Sequence, residues 1–171
     1  MKNSPPPSAS DSSRKSSRGI PALMRTASLI LGTCSLFLVG CVGYQKKWNR
    51  AVAAYEAGET SAPEGPWEGS WETTTNGHTG DLRAIVSRSE ENPGEYDFHY
   101  HFTWAKILSG TYKATFPATR TGSSRHEVDG EQELGLFGTF RHEATITDNQ
   151  FEATYSSKKG EVGLFEMIRP R

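Results

Sequence analysis

From Pro66 to the C-terminus, apolar residues recur at every second position in short runs, and the gaps between the runs hold turn-forming residues. That is the period of a β-strand with one buried face. It predicts eight strands, at 66–75, 80–89, 95–105, 110–116, 125–134, 139–147, 151–158 and 162–169. The third is the clearest: Tyr96, Phe98, Tyr100, Phe102 and Trp104 share one face, with Asp97, His99, His101 and Thr103 on the other. In the fifth, Glu127, Asp129, Glu131 and Glu133 fall together and must point outward. Before the strands the period changes. Tyr44, Trp48, Ala51, Val52 and Tyr55 recur at helical spacing, predicting a helix from Tyr44 to Ala57 with Gly58 as its stop and a Gly/Pro-rich linker from Glu59 to Pro66. The helix is expected to pack on the strands or lie at a membrane interface, with a partner-binding helix as the alternative.

Register can be read from the turns. An Asp148-Asn149 hairpin pairs Ile146 with Phe151, Ala144 with Ala153 and His142 with Tyr155. Continuing outward predicts Tyr155 opposite Phe165, Ala153 opposite Met167 and Phe151 opposite Arg169. On the other side it predicts Leu134 opposite Phe140, Gln132 opposite His142 and Val128 opposite Ile146. Across Asn92-Pro93-Gly94, Val86 faces Phe98 and Ala84 faces Tyr100. A one-residue slip would send these apolar sets to opposite faces. Sequential antiparallel strands with one apolar face are best buried by closing on themselves, so the expected fold is all-β, a single small eight-stranded antiparallel up-and-down barrel; a two-sheet sandwich is the alternative.

The N-terminal pattern is different again. Residues 3–19 are Ser- and Pro-rich with scattered Arg and Lys, a composition that does not form a packed core. An uncharged run, Thr26 to Gly43, follows Arg25; its apolar centre, Ala27 to Val39, has the length of a signal-peptide core and is short for a spanning helix. The run contains Leu38-Val39-Gly40-Cys41, which resembles the lipobox of bacterial lipoproteins. That resemblance implies a diacylglyceryl group on the Cys41 thiol, cleavage before Cys41, and acylation of the new amino group, often with palmitate. Cys34 is the rival, but Thr33 is a poor residue to precede the cut and the apolar run before it is too short. An uncleaved signal anchor is the other reading of the run. Met24-Arg25-Thr26 would already begin a complete signal, so Met24 is a second candidate start. Val42 follows the cysteine where proteobacterial lipoproteins retained in the inner membrane favour Asp, which implies the outer membrane in a host that has one. The expected organisation is a signal peptide over 1–40, a lipidated cysteine with helix and linker over 41–64, and a barrel over 65–171.

The barrel carries a second resemblance. Gly65-Pro66-Trp67 and Gly69-Ser70-Trp71 each match the Gly-x-Trp that opens the calycin group of lipocalins, fatty-acid-binding proteins and avidins. The likeness spans residues 65–171. In lipocalin-like barrels an Arg from the last strand packs across the first-strand Trp, which implies Arg169 over Trp67 or Trp71, a cation–π contact closing the barrel.

Composition adds exclusions. The formal net charge of the 171 residues is −1, but five basic residues and one acid precede Cys41, so the body is mildly acidic and does not suggest nucleic-acid binding. Both cysteines lie in or beside the apolar run, so the barrel holds by packing alone. No Gly-x-Ser-x-Gly elbow, His-Glu-x-x-His or phosphate loop occurs. No cofactor is implied. His99 and His101, with Asp97 on the same face, form the one metal-ligand spacing, but that face opposes the aromatic stripe and should be the solvated side, and no further ligand cluster is evident. Inside, Gln132, His142 and Tyr155 fall on one predicted rung, either a mutually bonded cluster or, with Tyr100 and Phe102, the lining of a ligand cavity. Three functions are therefore expected in order: a non-catalytic envelope lipoprotein whose barrel is structural or meets an envelope protein, a calycin-like binder of a small apolar or amphipathic molecule, and a metal-dependent enzyme using the His-x-His pair.

Overall fold

The computed structural model describes residues 43–105, 108–133 and 138–171. Cys34, Cys41, Val42 and the whole predicted signal segment lie outside them, as does the predicted pairing of Leu134. One helix, α1 (43–56), precedes eight strands: β1 (Gly65–Thr73), β2 (His78–Arg88), β3 (Glu95–Trp104), β4 (Leu108–Arg120), β5 (His126–Glu133), β6 (Thr139–Ile146), β7 (Gln150–Ser157) and β8 (Val162–Ile168). Each strand pairs antiparallel with the next, and β8 returns to β1, closing the barrel. The eight-stranded reading holds, and closure decides for the barrel over the sandwich. The largest change of extent is β4, which runs on to Arg120 through Pro117.

Two registers differ from expectation, each by two residues. Tyr155 faces Gly163, and Ala153 faces Phe165. Gln132 faces Phe140, and His142 faces Gly130. Phe151 accordingly faces Met167, and Arg169 lies beyond the pairing. Both shifts place a bulky ring against a glycine. A Cβ on Gly163 would meet the Tyr155 ring at 2.3 Å, and one on Gly130 would meet Phe116 at 2.4 Å. In a barrel this narrow two large side chains cannot share such a position: the Tyr155 ring selects the β7–β8 register that puts hydrogen in front of it, and the His142 ring of β6 stands opposite Gly130, whose other neighbour is Phe116 of β4. Elsewhere the reading stands: Ile146 faces Phe151, His142 faces Tyr155, Val86 faces Phe98 and Ala84 faces Tyr100.

Helix α1 closes with a Schellman motif. Gly58 takes a positive φ of 72°, Gly58 N–H donates to the Tyr55 carbonyl at 2.9 Å and Glu59 N–H to that of Ala54 at 2.9 Å. Its apolar stripe is spent on the barrel's outer wall, where Tyr44 and Trp48 are buried. Burying side chains of that size stabilises docking by roughly 2–3 kcal/mol each. Among the described residues no helix is long and apolar enough to cross a membrane.

Candidate functional site

The two ends of the barrel differ. At the first, where β1 begins, Arg169 is 6% exposed and lies 3.6 Å from the centroid of the Trp67 ring. Its Nη1 donates to the Pro66 carbonyl at 3.1 Å and its Nε to that of Asp148 at 3.2 Å. On the guanidinium's other flank stands Tyr55 of α1, at 4.9 Å. Burial pulls the Arg169 pKa down to about 10, against the raising influence of Tyr55 and Asp148, so it stays charged at neutral pH. Trp67 Nε1 donates to Pro63 at 3.0 Å. The linker that the sequence reads as flexible is thereby tied to the barrel end. Trp71 does something else: its Nε1 donates to the Thr103 carbonyl at 2.9 Å, across the β2 edge.

The interior is filled by aromatic rings. From Trp67 the chain of contacts runs through Phe151 (5.7 Å between centroids) to Phe98 (6.1 Å), Tyr100 (6.1 Å), Phe165 (5.7 Å) and Tyr155 (5.1 Å). Phe102 and Tyr100 both pack on Tyr112. The residues read as a possible cavity lining therefore touch one another or shared neighbours. Of the expected rung, His142 and Tyr155 stand opposite each other, but Gln132 does not join them and no hydrogen-bonded cluster forms. Gln132 is half-buried and its Nε2 donates to the Glu133 carbonyl at 3.2 Å. The Tyr155 hydroxyl is 2.5 Å from Thr73 Oγ1. His142, 4% exposed, sits among Phe116, Tyr155 and Phe165, and neither ring nitrogen has a hydrogen-bond partner. Desolvation pushes its pKa down to about 4, so it is neutral in the folded barrel.

The outer wall corrects the reading of His99 and His101 as a solvated face. Tyr44 of α1 lies edge-on to His99 at 4.9 Å and stacks on His101 at 5.0 Å. Trp48 packs under the Arg83 guanidinium at 4.9 Å. Burial, then the charges of Lys47 and Lys113 and neighbouring His101, push His99 down to about 4; burial and Arg83 lower His101. Asp97 accepts from Thr115 Oγ1 at 2.9 Å. Among the described residues no group of three His, Cys, Asp or Glu side chains could hold a metal ion. Packing on the barrel is one of the placements the aromatic stripe predicts, since a short helix is marginal alone and some surface must cover it; that His99 and His101 form this surface was missed in the sequence. On the far side, Glu127, Asp129, Glu143, Glu152 and Glu166 border one open, shallow outer concavity, where Arg141 pairs with Asp129 at 2.8 Å and with Glu143 at 3.0 Å.

Compared with protein families, curated proteins and solved structures, the chain matches none.

Proposed function

We propose that this protein is an envelope lipoprotein anchored through Cys41, and that its barrel is a non-catalytic module working by its outer surface. The carrying observation is the ring-filled interior: the space that a calycin-like binder would offer a ligand is occupied by Phe98, Tyr100, Tyr155 and Phe165. Support for the anchor comes from Leu38-Val39-Gly40-Cys41, two residues ahead of a helix already packed on the barrel. Tyr44 packs on the His-x-His pair, which favours a structural role for it over the metal-enzyme reading. The exposed acidic wall of β5–β8 is the surface best suited to an envelope partner carrying basic groups.

The test is metabolic labelling with radioactive palmitate in a bacterial host, followed by membrane fractionation. Wild type is expected to take up label and sediment with membranes, and Cys41→Ala to take up none and leave that fraction. Equal labelling of both chains would overturn the anchor. Native mass spectrometry of the protein recovered from its own host tests the filled interior: a co-purifying small apolar ligand would restore the binder reading.

A further inference from the structure

Four large apolar side chains are substantially exposed among the described residues, and three of them share the second barrel end: Trp104 at 44%, Leu108 at 54% and Val162 at 45%. They belong to one sector of the rim. Trp104 faces Leu108 in the β3–β4 register, the His78 ring lies 5.7 Å from Trp104, and Thr74 in the adjoining β1–β2 turn donates its N–H to the Val162 carbonyl at 2.8 Å.

The course of α1 relates this rim to the rest of the chain. Tyr55, near its C-terminal end, is on Arg169 at the first barrel end, whereas Tyr44 rests on His99 and His101. His101 precedes Trp104 by three strand residues, roughly 10 Å of rise. The helix therefore runs along the wall with its N-terminus directed at the second end. Cys41 precedes Tyr44 by three residues, and a chain of that length reaches roughly 10 Å. Whatever anchors the N-terminal segment, the barrel hangs from it by the end that exposes Trp104, Leu108 and Val162. Lys46, Lys47 and Lys113 flank the start of the helix, and Lys158 and Lys159 lie in the turn before Val162, with Glu72, Asp81 and Glu161 as nearby acids.

We propose that this rim is the membrane-facing end of the protein, with Trp104 and Leu108 inserted at the interface of the bilayer that holds the anchor. The inference rests on the anchored reading above and adds an orientation: the barrel stands end-on, second rim down, with the acidic wall and the Arg169 end turned away. Tryptophan is well suited to that depth, and lysines beside it to the headgroups. A rim apposed to lipid would also account for three exposed apolar groups that no described part of the chain covers.

The experiment uses the full chain, processed in a bacterial host and reconstituted into vesicles of phosphatidylethanolamine and phosphatidylglycerol whose acyl chains are brominated. Vesicle flotation reports anchoring, and tryptophan quenching reports depth. Trp48 and Trp67 are buried and Trp71 is half-buried with its Nε1 bound to the Thr103 carbonyl, so Trp104 is the most exposed tryptophan, and the main quenched component is expected to come from it and to be lost in Trp104→Phe. A second probe, Asn149→Trp in the Trp104→Phe background, marks the opposite end and is expected to stay unquenched. Flotation with equal quenching in wild type and Trp104→Phe overturns the orientation while leaving the anchor standing, as does quenching of the Asn149→Trp probe alone. A chain that does not float overturns both.

Discussion

His142 shows how a single side chain sets a pH limit. Its ring is buried with neither nitrogen satisfied, which costs on the order of 1–3 kcal/mol relative to an apolar side chain of the same shape. His142→Leu, close in volume, is expected to raise the urea midpoint of unfolding. The sign of the pH effect follows from a pKa lowered from 6.5 to about 4 on folding. Above pH 6.5 both states hold a neutral ring and nothing is lost. As pH falls from 6.5 towards 4 the unfolded chain takes up a proton that the barrel refuses, so stability declines across that window by about 3 kcal/mol and this contribution then levels off. In His142→Leu that share of the decline should vanish while the share from His99, His101 and His126, which burial also lowers, remains, and a pH series of urea titrations checks it; an unchanged slope would mean that the ring is not desolvated.

At the level of elements, α1 is bound to the barrel wall through rings and cations and has little stability of its own. Around His99 stand Lys47 from the helix, Lys113 from β4, and His101 from β3, while Arg83 from β2 adjoins His101; Asp97, on His99's own strand, is the acid two positions away and is engaged by Thr115. Protonating His99 adds a charge to a buried and already cationic contact. Its pKa is lowered from 6.5 to about 4. Docking is therefore whole above pH 6.5 and weakens as pH falls towards 4, because the released wall binds the proton more readily. The protection of amides 43–56, measured against their intrinsic exchange rate at each pH, is expected to fall at acidic pH while that of the strands is kept. Tyr44→Ala should produce the same local loss at neutral pH. If exchange in the helix were independent of both changes, the histidine contact would not be what holds it.

For the molecule as a whole, Arg169 is the joint: it touches the start of β1, the β6–β7 turn and α1 from the end of β8. Arg169→Ala removes a buried cation–π contact and strands two carbonyls, an expected loss of about 2–4 kcal/mol in urea unfolding. Arg169→Lys should recover only part of it, since an ammonium lacks the planar fork that stacks between Trp67 and Tyr55. Much of this architecture is legible in the residues. Alternation from Pro66 onward determined the strands, their number and which side chains face in, and the Tyr44/Trp48/Tyr55 stripe determined the helix, because burial of one face imposes a period on the chain that needs no neighbour to be read. Alternation repeats every two residues, however, so a slip of two leaves every apolar residue on its proper side. Only the closed barrel, in which the Tyr155 ring lies against Gly163 and the His142 ring opposite Gly130, decided between those registers. The same holds for Arg169 choosing Trp67 over Trp71, and for Tyr44 covering His99 and His101. Those pairings join residues far apart in the chain, and their outcome depends on shape and available volume, which no local pattern encodes.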